Sequence, residues 1–221
     1  MVFSRGSLKD PVALAVFSVE RAGARIVKVD FEEVLKKAID YTNKGNLVAI
    51  STDGSRTLGV GDTFPEASLP VMEGKALLLK TLAGVDAFPL CLGTKSKKEI
   101  IKTIEILSPN FSVFNLEDIS APKGLEIREK LERKNFIVFH DDEQGTAIAV
   151  LAALLNALKV VKKKLEEIKI CLAGAGSAGY GVFKILVSVG VKNLIVFDSK
   201  GIIFRWRDKD NKFKREIAKF S

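Results

Sequence analysis

The 221-residue sequence predicts an α/β protein, with a mainly parallel sheet in the first part of the chain and the opening portion of a second α/β unit after it. Three observations carry this reading. Short β-branched and aromatic runs alternate with longer segments of helical periodicity, as strands joined by crossover helices do. Two of the apolar runs end in acids, Glu117-Asp118 and Asp141-Asp142-Glu143, and strand ends of this kind are where α/β proteins place their sites. Finally, Gly174, Gly176 and Gly179 form G-x-G-x-x-G between a predicted strand and a predicted helix, with Asp198 about 20 residues on, the fingerprint of a Rossmann-type dinucleotide-binding unit.

Residues 1–30 hold no persistent period. A helix is predicted over 31–44, with Asp30 as N-cap and Gly45 as its stop. A strand follows at 47–51, then a glycine-rich loop at 53–62 that lets backbone approach a ligand closely. The spacing next predicts a helix at 69–82, a strand at 86–92, a helix at 98–107, a strand at 111–116, a helix at 122–133 and a strand at 136–139. One long helix is predicted over 144–165, and the domain boundary is set at its start, dividing 1–143 from 144–221. Beyond it come a strand at 168–172, the glycine loop 173–179, a helix at 180–189, a strand at 193–197 closed by Asp198, and a short charged helix at 214–220.

A hydrophobic content of 47% is enough for a full core. The apolar run 148–161 falls short of the ~20 residues of a membrane span, and 1–11 has no apolar signal core, so a cytoplasmic protein without membrane contact is expected. Cys91 and Cys171 both lie in strand-like runs and are expected to be reduced core residues. The formal charge of +8 favours anionic ligands. The densest basic runs, 95–98 and 162–164, lack interleaved aromatics, so nucleic-acid binding is not expected.

If the strands ending at Leu116 and Phe139 are neighbours, their acids converge. Such a cluster holds only if it is protonated, paired with cations or bound to a metal; solvated strand-end acids are the alternative. In the loop Ala173 to Gly179, the first glycine allows the tight turn, the second lets a pyrophosphate reach the helix N-terminus and the third lets the helix pack closely. Gly174, Ala175, Gly176, Ser177, Ala178 and Gly179 are therefore the expected phosphate-binding residues. Asp198 would accept from the ribose hydroxyls, which favours NAD, while Ser199 and Lys200 leave room for NADP.

The segments 41–46 (Tyr-Thr-Asn-Lys-Gly-Asn), 70–75 (Pro-Val-Met-Glu-Gly-Lys), 85–90 (Val-Asp-Ala-Phe-Pro-Leu), 115–119 (Asn-Leu-Glu-Asp-Ile) and 139–147 (Phe-His-Asp-Asp-Glu-Gln-Gly-Thr-Ala) closely resemble the malic enzyme family in its shorter bacterial and archaeal form. The resemblance implies oxidative decarboxylation of malate to pyruvate with NAD or NADP, in a homodimer. It implies that Glu117, Asp118 and Asp142 bind Mg²⁺ or Mn²⁺ and that Lys75 takes the C2 hydroxyl proton, its pKa lowered by burial near other cations. Asp141 would tune that lysine, and Arg56 would clamp a substrate carboxylate.

Two departures set further expectations. The family's proton-donating tyrosine segment has no counterpart, Phe17 or Val16 standing nearest to it, and the chain stops at Ser221 before the later strands of the family's nucleotide fold. Phe64 also stands where the family usually has glycine. Poor or absent turnover is therefore expected. A non-catalytic binding or assembly module and the related malolactic chemistry, with lactate as product, are the alternatives.

Overall fold

The structure, a computed structural model, describes residues 38–58, 60–207 and 211–220. The chain divides into two units, Met1–Asn46 and Leu47–Ser221. In the first, helix α1 (Ala38–Tyr41) runs into a 3-10 turn (Asn43–Asn46). The predicted helix thus ends at Tyr41 rather than at 44, where the Thr42 hydroxyl donates back to the Ala38 carbonyl at 2.5 Å. Its predicted start, with Asp30, lies outside the described residues, as do Phe17 and Val16.

The second unit begins with a four-stranded, wholly parallel sheet of order β2-β1-β3-β4. Its strands are β1 (Leu47–Thr52), β2 (Asp86–Cys91), β3 (Val113–Leu116) and β4 (Val138–His140), joined by α2 (Pro65–Ala83), α3 (Lys97–Leu107) and α4 (Lys123–Glu132). The chain steps outward from β1 to β2 and then crosses back to β3, so the strand order reverses between β1 and β3. A crevice opens there beyond the strands' C-terminal ends. In register, Ser51 pairs with Leu116 and Leu116 with His140, so the glycine-rich loop, Glu117-Asp118 and Asp141-Asp142 all leave the sheet at one edge. The neighbouring strands expected from the acidic ends are therefore present. Beneath them α3 places Ile100, Ile101 and Ile104 on one face, packed with Phe114, Leu116, Ile127 and Leu131.

Helix α2 starts four residues before its predicted position, because Pro65 at its first turn needs no hydrogen-bond partner for a missing N–H. Between β4 and the next helix, Asp141–Gly145 forms a π-helical turn, so α5 runs only Thr146–Val161. Its predicted extension to 165 is cut off where Lys162 turns left-handed at φ 54° and Lys163 N–H caps the Leu158 carbonyl at 3.1 Å. The continuous run Asp141–Val161, 21 residues that include an 18-residue stretch of mean hydropathy 1.6, is long and apolar enough to cross a membrane by length and composition, although 148–161 alone is not.

The remaining sheet has the order β5-β6-β7: β5 (Ile170–Ala173) parallel to β6 (Leu194–Asp198), and an antiparallel two-residue edge, β7 (Gly201–Ile202). Helix α6 (Ser177–Ser188) starts at the glycine loop itself, three residues before its predicted start, and α7 (Lys212–Phe220) buries Phe213, Ile217 and Ala218. Tyr180, Phe183, Leu186 and Val196 complete this core. Both cysteines are free, but Cys171 is exposed rather than in the core, since alternate side chains of β5 point outward. Gly181 explains how α6 meets the site: a Cβ there would lie 2.2 Å from the Glu143 carbonyl oxygen, so only glycine lets α6 press on the turn that carries Asp142.

Candidate active site

Four acids and one lysine meet at the C-terminal edge of the parallel sheet. Glu117 and Asp118 follow β3, Asp141 and Asp142 open the π-helical turn after β4, and Lys75 reaches in from α2. The Lys75 Nζ donates to Glu117 Oε2 and, at 2.5 Å, to Asp141 Oδ2. Asn115, two residues before Glu117 on the same face of β3, donates to that same Oε2 at 3.0 Å. Asp118 takes a left-handed conformation at φ 52°, which turns its N–H toward Asp142 Oδ2 at 3.0 Å. The Leu58 N–H donates to Asp118 Oδ1 at 3.3 Å, while Asp118 Oδ2 is buried without a partner among the described residues.

The arrangement brings together the residues assigned to the metal. One oxygen each from Glu117, Asp118 and Asp142 lies within 4.8 Å of the others. Burial, reinforced for Asp142 by the charge of Asp118, pushes Asp142 up to about 6; burial also pushes Glu117 up to about 7, although Lys75 opposes it, and raises Asp118. An all-carboxylate set with a buried, unpartnered oxygen and an excess of negative charge fits a hard divalent cation such as Mg²⁺ or Mn²⁺.

Lys75 departs from its expected electrostatics. Burial pulls its pKa down, but the charge of Glu117 and the hydrogen bonds to Asp141 and Glu117 outweigh burial and raise it, since the lysine faces acids rather than other cations. Asp141 is held for this contact by backbone shape: a Cβ on Gly145 would fall 2.0 Å from Asp141 Oδ1.

Arg56 is exposed on the glycine-rich loop, its N–H tied to the Asp118 carbonyl at 3.0 Å. That loop is clamped to the body by Asp53, which is fully buried, paired with Lys123 and bonded through Oδ1 to the Ser55 N–H at 3.0 Å. Ser55 in turn accepts from the Ser120 N–H at 2.8 Å, so the segments after β1 and β3 are stitched on both sides of the crevice. This clamp was not singled out in the sequence, where Asp53 and Lys123 are 70 residues apart.

Gly174 to Gly179 line a cleft of about 560 Å³ with Asp198, Arg56 and Asp142. Gly174 has φ +109°, and a Cβ on Gly179 would lie 2.0 Å from the Gly174 carbonyl, so the first and third glycines are required as the fingerprint predicts. Asp198 ends β6 as predicted, and its carboxylate is engaged by Arg207 and Lys214, two cations the sequence reading passed over. His140 was also unassigned: it is fully buried, its ring nitrogens lack partners among the described residues, and burial lowers its pKa to about 4, leaving it neutral.

Two family models match the chain, "Malic enzyme, N-terminal domain" over residues 15–101 and "Malic enzyme, NAD binding domain" over residues 143–220. Among similar proteins are the bifunctional malic/malolactic enzyme of Bacillus subtilis, 48% identical over 87% of this chain and 47% of that protein, and the NAD-dependent malic enzyme of Geobacillus stearothermophilus, 50% identical over 84% and 39%. The chain thus spans less than half the length of these relatives. Among solved structures, the NAD-dependent malic enzyme of Thermotoga maritima superposes with a TM-score of 0.82 at 42% identity, covering 100% of this chain and 57% of that one. Because two models of the same family match in order and together take in most of the chain, the second of them including the glycine loop, the chain belongs to the malic enzyme family.

Proposed function

We propose that this chain carries the site for oxidative decarboxylation of malate to pyruvate and CO₂ with reduction of NAD(P), residues 1–143 holding substrate and metal and 144–221 the nucleotide. The observation that carries this reading is that one cleft is lined by Arg56 and Asp142 together with the glycine loop and Asp198. A small hydroxy acid and the nicotinamide of a dinucleotide would meet in such a cleft.

Glu117, Asp118 and Asp142 would hold the divalent cation, which supplies electrophilic pull on the C2 oxygen of the substrate. NAD(P) seated on Gly174 to Gly179 supplies the hydride acceptor. Arg56, exposed and without competing acid partners in the described contacts, binds a substrate carboxylate. Lys75 moves the proton: as an amine it takes the C2 hydroxyl proton while hydride leaves C2, and as an ammonium it returns a proton to the C2 oxygen while CO₂ leaves. At rest it is the ammonium, and Asp141, whose side chain is 39% exposed against 20% for Lys75, is its route to solvent. Protonation of the enol carbon needs a further donor, and no tyrosine is among the described residues lining the cleft. Turnover of malate by this chain alone is accordingly slow or absent. A homodimer in the cytoplasm belongs to the same reading.

The test separates the metal end from the nucleotide end. Oxaloacetate needs no hydride transfer, so the chain with Mn²⁺ is expected to release pyruvate from it faster than free Mn²⁺ does. A rate equal to free Mn²⁺ would overturn the proposal. Lactate formed from malate would instead support the malolactic reading, which the name of the Bacillus subtilis relative brings forward.

A further inference from the structure

The Asp142 carboxylate accepts one hydrogen bond among the described residues, from the Asp118 N–H at 3.0 Å. With so few bonds of its own, it takes its direction mainly from the backbone that carries it, the π-helical turn Asp141–Gly145. The next residue in that turn, Glu143, is bonded instead to α4. It is 3% exposed, and Arg128 takes both its oxygens, Nε donating to Oε2 at 2.6 Å and Nη2 to Oε1 at 3.1 Å. Paired bonds of this kind between a guanidinium and a carboxylate fix direction as well as distance. Arg128 is itself 6% exposed, and its Nη1 donates to Glu132 Oε2 at 2.5 Å, one turn further along α4.

The backbone of Glu143 is held as well. A Cβ on Gly181 of α6 would lie 2.2 Å from its carbonyl oxygen and 3.0 Å from its Cγ, so the helix passes in direct contact with it. Gln144, the following residue, accepts the His140 N–H at 2.8 Å and ties the turn back to the end of β4. Packing alone does not hold the turn, because Arg128, Glu143, Gln144 and Gly181 also line a cavity of about 330 Å³. The paired bonds from Arg128 therefore fix a residue adjacent to Asp142 where close packing is incomplete.

We propose that Arg128 is a positioning residue for the metal site: by its paired bonds to Glu143 it sets the π-helical turn and, through it, the direction of the Asp142 carboxylate. The proposal rests on the reading of Glu117, Asp118 and Asp142 as the metal-binding acids. Among the described residues Arg128 bonds to none of the three, so it acts through Glu143 and the backbone that joins Glu143 to Asp142. This role is separable from a contribution to stability. Replacing a buried ion pair by apolar side chains of similar volume is often neutral or stabilising, because no charge is left buried without a partner. Such a replacement keeps the fold but removes the directional bonds.

Calorimetric Mn²⁺ titration of the full chain carrying Arg128→Met together with Glu143→Leu tests this without requiring turnover. Glu132, whose side chain is 39% exposed, passes to solvent when its partner is removed. Mn²⁺ affinity is expected to fall about 10–100-fold, the loss that follows removal of a group that orients a metal ligand. The thermal midpoint of the metal-free chain is expected to be unchanged or raised. In an Asp142→Asn background the same pair of substitutions should cost less than about threefold, because the carboxylate they orient has already lost its charge. Unchanged affinity in the double variant, or an equal loss with and without Asp142→Asn, would overturn the proposal and leave the metal site standing. Should the double variant fail to fold, Glu143→Gln carries the test: its amide keeps one acceptor for Arg128 and loses the other, so Mn²⁺ affinity is expected to fall about tenfold, and no change would overturn the proposal. Absence of Mn²⁺ binding by the unaltered chain would overturn both the proposal and the metal site.

Discussion

Replacing Asp142 by alanine is expected to weaken Mn²⁺ binding by about a hundredfold or more, beyond the 10–100-fold typical of losing a group that merely orients a ligand. Asp142 contributes an oxygen to the three-acid set and also accepts the Asp118 N–H at 3.0 Å, the bond that holds Asp118 in its left-handed conformation. The alanine variant therefore loses one of the three oxygens proposed to hold the cation and misaligns a second. Asp142→Asn separates the two effects, because the amide oxygen still accepts from Asp118 but carries no charge. For the metal-free protein its effect on stability has a definite sign. Burial and Asp118 raise the Asp142 pKa from 3.8 to about 6, so the fold holds this proton more tightly than the unfolded chain does. The stability that comes from holding it is present below pH 4 and is lost as pH rises toward 6 and beyond. Asp142→Asn should thus raise the thermal midpoint of the metal-free protein at pH 7 and leave it nearly unchanged at pH 4. Calorimetric Mn²⁺ titrations and melts at both pH values read these outcomes.

Lys75→Ala is expected to lower Mn²⁺-dependent release of pyruvate from oxaloacetate by about 10²–10⁴-fold, the range for removal of a positioned general acid or base. Mn²⁺ affinity should stay the same or tighten, since the substitution removes a positive charge bonded to Glu117 and leaves all three ligands in place. That split distinguishes proton transfer from scaffolding. A lysine that only held Glu117 in position would lose metal affinity and rate together. Lys75→Arg makes the same point from the other side, because an arginine keeps the charge but does not give up its proton.

Much of this site was legible in the sequence because it lies where the chain passes from strand to helix. The acids after β3 and β4 converge once parallel neighbours share a register, and glycines placed between a strand and a helix have one well-understood use. Side-chain partnerships between distant segments were not legible. The raised pKa of Lys75 depends on which acids α2 happens to face, and composition gives no orientation for a helix. The pairing of Arg207 and Lys214 with Asp198 depends on the β6–β7 turn and the return of α7, which the charged-helix pattern at 214–220 does not reveal. The π-helical turn at Asp141–Gly145 was hidden for a different reason: its residues match the start of an ordinary helix, and the wider turn is set by the packing of Gly181 against Glu143. The cut at Lys162 was missed because lysine is a good helix former and its left-handed cap is a backbone choice.

The central claim is that the strand-end acids form an assembled metal and hydroxy-acid site, and the most direct measurement is Mn²⁺ affinity with and without malate, using succinate as the control that lacks the C2 hydroxyl. An assembled site predicts that malate tightens Mn²⁺ binding by about tenfold or more, as an added pair of oxygen ligands should, and that succinate does much less. Equal Mn²⁺ affinity with malate, with succinate and with neither would contradict the account and reduce the cluster to a set of buried acids shared around one lysine.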